Sequence, residues 1–276
     1  MTQATAPLAQ PPVPAPPVKA PGLVDTLRSE WTKLRSLRST PITLVVTAVL
    51  VIGLSALITW AAYGAPTHGK RVLTDPVGII QAGWGFGLLA LAVLGVLVMT
   101  NEYSSGMITS TFLATPKRLR VLVAKAAVFS VAMVVVGEVM SFVNFFLGHL
   151  VISGFPQFVD PSLGDKNVLR AVIGMGLDAA LAGLMGLALG TLLRNAAGAI
   201  AVTVGIVFVE PIVALFLPSS IEDPLNEYWP TQAGGQLEEV TRQPHALTAW
   251  WGTGDLVLFI LVLLFAAGFA LAKRDA

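Results

Sequence analysis

The chain has no cysteine and only three histidines, His68, His149 and His245, in 276 residues. The first absence excludes a disulfide framework, a thiol nucleophile and any cysteine-based metal site. The histidines lie far apart and none falls in an HExxH or comparable ligand spacing, so no metal site is predicted. There is no GxSxG, and the serines of the apolar runs have no evident histidine partner, which argues against hydrolase or intramembrane-protease chemistry. Charge is scarce as well: Asp, Glu, Lys and Arg make up 12% of the chain, against about 25% in an ordinary soluble domain. The net charge is +1, no basic stripe is interleaved with aromatics, and no nucleic-acid partner is expected.

What is there is apolar. Hydrophobic residues account for 55% of the chain and the mean hydropathy is +0.76. They gather into runs of about 20 or more, the length that crosses about 30 Å of hydrocarbon. The fold class is therefore all-α and integral to a membrane. Residues 1–22 form a Pro-rich tail, predicted to be extended and disordered because proline at this density supports neither helix nor ladder. It does not read as a signal peptide, since no apolar core follows a basic start. Residues 23–276 form one transmembrane domain.

That domain opens at 23–40 with an amphipathic segment. Leu23, Val24, Leu27, Trp31, Leu34 and Leu37 share one arc at 100° per residue, with Lys33 facing away and Glu30 and Arg38 intruding on it. A basic amphipathic helix with a tryptophan is expected to lie in the interface, anchored by Trp31, Lys33 and Arg35 on membrane lipids. Six transmembrane helices are predicted at about 41–62, 77–100, 121–153, 168–193, 196–217 and 250–272. The third is too long to cross straight, so it should tilt, kink near Gly137 or begin outside the bilayer. Only Arg194 and Asn195 separate the fourth from the fifth, a tight antiparallel hairpin. Of the 17 Lys and Arg residues, twelve fall on the side of the termini, which places the N- and C-termini in the cytoplasm. The last external connection, 218–249, is long enough for short helices at the outer leaflet.

Two glycine patterns mimic nucleotide sites. Gly64 to Arg71 has phosphate-loop glycine and lysine spacing, but Arg71 replaces the magnesium-binding hydroxyl, no buried strand precedes it and the topology puts it outside the cell. Gly83 and Gly87, like Gly174, Gly183, Gly186 and Gly190, sit within spans and read as faces for close helix packing. More informative are Glu138 and Asn144 in the third span, Asp178 in the fourth and Glu210 in the fifth. Ionisable groups in a bilayer mark a polar cavity or a functional pair, so these four are candidate pathway residues. Glu210-Pro211 also marks a break, because proline leaves a carbonyl in need of another donor.

The polar stretch 101–125, NEYSSGMITSTFLATPKRLRVLVAK, separates the second and third spans. Its acid, three residues, glycine, amphipathic run, proline, basic residue and later lysine (Glu102, Gly106, Pro116, Arg118, Lys125) resemble the coupling loop of ATP-binding-cassette (ABC) transporter permeases of the type-2 exporter class. Residues 29–35, SEWTKLR, look like the start of actinobacterial members. Met107 departs from the threonine common after that glycine. The resemblance implies a permease subunit without catalysis of its own and without a bound cofactor. It further implies dimerisation with a second permease copy or a related chain, and a separate ATPase subunit carrying ATP-Mg. Loop 101–120 would couple to that ATPase through Glu102, Gly106, Pro116 and Arg118. The competing readings are a proton-coupled secondary transporter using the intramembrane carboxylates, and a membrane scaffold.

Overall fold

In hydrocarbon a chain can satisfy its backbone only within helices or closed barrels, and long apolar runs without alternation select the helix. The computed structural model describes residues 21–36, 39–64, 75–155, 161–214, 216–242 and 246–273, and all regular structure among them is helical. In chain order the helices are α1 (Leu23–Ser36), α2 (Ser39–Gly64), α3 (Pro76–Ile80), α4 (Trp84–Ser104), α5 (Met107–Ala114), α6 (Arg118–Ile152) and α7 (Lys166–Leu193). There follow α8 (Ala196–Val204), a π-helical turn (Gly205–Val209), α9 (Glu210–Ala214), α10 (Ser219–Tyr228), α11 (Pro230–Gly235) and α12 (Ala249–Lys273). Five helices are long and apolar enough to cross a membrane: α2 from Thr40, α4, α6, α7 and α12.

The bundle is built around α7. Its most apolar window is 72% buried, against 22% for α2 and 28% for α12, so α7 is the central post and the other two form the outer wall. Glycine lets α7 take that place. Gly186 lies so close to α4 that a Cβ there would strike the Ala92 carbonyl oxygen, and Gly95 of α4 meets the Gly183 carbonyl in the same way. Backbone-to-backbone approach is what small residues contribute where lipid removes the hydrophobic drive between helices.

Two predicted spans are interrupted. The run at 77–100 is not one helix. Asp75 caps the single-turn α3 by accepting from the Gly78 amide at 2.9 Å, and the chain then breaks before α4. Asn144 of α6 explains why the break survives at depth: its amide donates to Gln81 Oε1 (2.5 Å), Ser55 Oγ (3.1 Å) and the Ile80 carbonyl (3.2 Å). The Gly83 amide also reaches Ser55 Oγ at 2.9 Å. Orphaned backbone and amide groups thus satisfy one another in a closed polar knot.

The predicted fifth span, 196–217, is likewise broken into α8, the π turn and α9, and its apolar helical part, Ala196–Val209, is shorter than a crossing requires. Pro211 supplies the reason. Lacking an N–H, it cannot serve the carbonyl five residues back that a π turn would pair with it. That carbonyl belongs to Ile206, and it accepts instead from the indole Nε1 of Trp229 at 2.9 Å.

The hairpin turn agrees with expectation: Arg194 adopts a left-handed conformation (φ 54°), and Asn195 caps α8 by accepting from the Gly198 amide at 2.8 Å. Helix α6 runs unbroken through Gly137 for 35 residues, about 52 Å at 1.5 Å per residue, longer than the roughly 30 Å of hydrocarbon. The 218–249 connection contains α10 and α11. The tail to residue 20, the phosphate-loop mimic beyond Gly64, Leu37, Arg38, His68, His245 and the side chain of Glu210 lie outside the described residues.

Candidate functional site

Helix α1 contains the two ionisable residues on which the site turns. Its protein-facing side is Thr26, Glu30 and Leu34, all buried, while Leu23, Val24 and Trp31 are exposed. Leu23, Val24 and Trp31 of the predicted apolar arc are thus exposed, but Leu34 of the same arc is buried with Thr26 and Glu30 on a face that packs on α6. Glu30 does not spoil the amphipathic pattern; it belongs to this second face. Three residues on, one turn of helix brings Lys33 beside it.

Four charges meet there. Lys33 Nζ donates to Glu30 Oε1 at 2.8 Å and to Glu102 Oε1 of α4 at 3.1 Å. Lys125 Nζ of α6 donates to Glu30 Oε2 at 2.5 Å and to the same Glu102 oxygen at 2.7 Å. Lys33 also donates to Thr111 Oγ1 of α5 at 3.1 Å. The Glu30, Glu102 and Lys125 side chains are 3–4% exposed and that of Lys33 21%. Two carboxylates and two ammoniums cancel, which is the condition on which buried charge is tolerated. Burial lowers the tendency of Lys33 to hold its proton, but the Glu30 and Glu102 carboxylates outweigh it and hold its pKa above the usual lysine value.

The cluster changes the reading of two residues. Lys33 is turned inward, not toward lipid headgroups. Lys125, the final lysine of the 101–125 pattern, is no free surface charge; it is neutralised by Glu30 and Glu102. Trp31 and Arg35 remain on the exposed side of α1, the guanidinium 5.9 Å from the indole centroid.

Helix α5 is the short rod that the cluster holds. Gly106 enters it at φ 71°, a left-handed conformation that glycine adopts without strain. Ile108 and Phe112 are buried against the bundle, leaving Met107 (37%) and Leu113 (79%) exposed. Thr115, extended before Pro116 as a residue preceding proline must be, ends the helix. Arg118 then lies 5.2 Å from the Phe112 ring centroid and donates to the Leu271 carbonyl at the end of α12, at 3.2 Å. The predicted loop 101–120 is thus mostly structured. Glu102 is on the last turn of α4, and only 105–106 and 115–117 lie outside helices.

The intramembrane candidates do not form one site. Asn144 belongs to the polar knot described above. Glu138 is half-buried over Gly176 of α7. Asp178 is buried, and its carboxyl meets that of Glu238 from the segment between α11 and α12. Sequence reasoning left Glu238 within the external connection 218–249 and missed this pairing. A separation of 60 residues offers no local signal. Glu30 left a faint one, an acid out of phase with an otherwise apolar arc.

A search of curated proteins finds no match. The family model described as ABC-2 family transporter protein matches residues 26–210, from the first turn of α1 to the start of α9. The match covers well over half of the chain and takes in the charge cluster, α5 and the central post. This chain belongs to the ABC-2 transporter family of membrane transport components.

Proposed function

We propose that this chain is the membrane-spanning subunit of an ATP-driven transporter in the plasma membrane, exporting a hydrophobic or amphiphilic compound. Its power comes from a separate ATPase subunit carrying ATP-Mg, and the pathway forms with a second permease copy or a related chain. Both termini are cytoplasmic, and the broken α8–α9 segment counts as a sixth, interrupted crossing. Helix α5 is the surface that meets the ATPase, with exposed Met107 and Leu113 as its apolar contacts.

One observation carries this reading: Lys33 Nζ bonds α1, α4 and α5 at once, and Lys125 joins α6 to the same carboxylates. A load applied to α5 therefore reaches an interfacial helix and two spans through short, charge-assisted bonds. Gly106 provides the turn and Arg118 ties the far end of α5 to α12. Coupling follows if the nucleotide-bound ATPase favours one arrangement of these helices through different contacts.

The test is co-purification of an ATPase with the tagged chain in membranes, followed by ATPase stimulation in Glu102→Arg and Gly106→Pro. Both variants should insert into the membrane and lose stimulation. Normal stimulation in both, or ATP-independent transport by the chain alone, refutes the proposal.

A further inference from the structure

At the opposite end of the bundle from α5, a cavity of about 600 Å³ opens between α7, the π turn, α10 and the segment after α11. That volume falls in the range of small-molecule sites, about 300–1,000 Å³. Five carboxylates line it, Asp178, Glu222, Asp223, Glu238 and Glu239, and no Lys or Arg among the described residues does. Arg170 and Arg242 stand in the neighbouring cleft, where they donate to the carbonyls of Glu239 and Ala246.

Acidity alone would not make a binding site, but two further features point to a ligand. Asp178 is 7% exposed, and its carboxyl lies within hydrogen-bond reach of that of Glu238. Two carboxyls in such contact must share a proton or receive a donor from elsewhere. In addition, Thr231 Oγ1, Gln236 Oε1 and Glu238 Oε1 are buried without a hydrogen-bond partner among the described residues, and all three residues line this one cavity. Buried acceptors left unpaired are costly, and here they gather in a cavity that is also lined by carboxylates.

The required ligand offers several N–H donors and positive charge. Among the described residues no group of three or more carboxylates or histidines converges tightly enough to hold a metal ion. The walls also include Leu88, Val207 and Phe208, apolar surface of no use to a bare cation. We infer that this cavity binds organic ammonium ions carrying an apolar body, with Asp178 and Glu238 at the charged end. This deepens the transport reading and rests on it, because it names a class of transported compound. Burial, followed by the Asp178 and Glu239 carboxylates, pushes Glu238 well above the usual carboxylate range. Among the described residues the charged neighbours lining the cavity are Asp178, Glu222, Asp223 and Glu239; an entering ammonium therefore displaces a proton, and binding tightens as pH rises.

The test uses the full chain in lipid nanodiscs, with dansylcadaverine, a fluorescent primary alkylamine, and its N-acetylated derivative as probes. The amine should bind saturably and the neutral derivative about tenfold more weakly or worse. Glu238→Gln and Asp178→Asn should erase that difference, while Glu222→Gln at the rim should reduce it less. Equal affinity for the two probes on the unaltered chain overturns the inference whether or not the variants fold. So does an unchanged amine affinity in folded Glu238→Gln, or displacement of the amine by Ca²⁺ as effectively as by dodecylamine. No ATPase is present, so failure here leaves the role of α5 standing, and loss of ATPase association leaves the amine result standing.

Discussion

Replacing Lys125 by methionine tests the charge cluster at its most buried point. The substitution keeps the length and apolar stem of the side chain and removes the ammonium that bridges Glu30 (2.5 Å) and Glu102 (2.7 Å). Both carboxylates are about 3% exposed, so water cannot replace what is lost, and Lys33 alone must neutralise two acids. Removing one partner of a buried ion pair typically costs about 3–5 kcal/mol, on the order of 10 °C in melting temperature for a chain of this size. Lys33→Met should cost less, because the Lys33 side chain is 21% exposed, so solvent already weakens its bonds to the two carboxylates, and the shorter Lys125 bonds to both remain. Replacing all four residues with Leu and Met should restore stability to near the parent level, since the desolvation penalty disappears together with the attraction. Scanning fluorimetry of the detergent-solubilised chain measures all three. Equal small losses for Lys125→Met and Lys33→Met, or a fourfold replacement no better than Lys125→Met, would refute the buried-quartet account. Because the Lys33 pKa is raised in the folded chain, its share of the stability should be fully present below the usual lysine value of about 10.4. It should be lost as pH rises through the higher folded value.

Other predictions follow from single positions. Gly106→Ala meets open space but must hold φ 71°, so it should cost about 1–2 kcal/mol of backbone strain, read as weaker ATPase stimulation with unchanged yield. Gly186→Ala should destabilise the bundle by about 1–3 kcal/mol, visible as a lower melting temperature, because the Ala92 carbonyl of α4 cannot yield as a side chain could. Trp229→Phe removes the donor to the Ile206 carbonyl and should cost about 1–3 kcal/mol, with faster amide exchange across 205–211. Asp178→Asn should alter transport more than assembly; equal loss of folded protein would make that residue structural.

The amino-acid sequence by itself determined the helices, because lipid leaves an apolar backbone no other way to satisfy its hydrogen bonds. It also determined the turn at Arg194 and Asn195, the glycine faces of the spans and the polar stretch where α5 sits, all of which are local patterns. It misjudged where apolar runs break. The partners that make a break tolerable, Asn144 for α3 and Trp229 for Ile206, lie 63 and 23 residues away. Above all, only the tertiary structure decided what the charges do. Glu30 read as a flaw, Lys33 as a headgroup anchor and Lys125 as the last residue of a loop pattern. In space they close with Glu102 into a neutral quartet, because a buried charge takes its meaning from whatever opposite charge the fold brings within about 3 Å. Glu238 makes the same point at the other end of the bundle, where the fold brings a second carboxyl to Asp178.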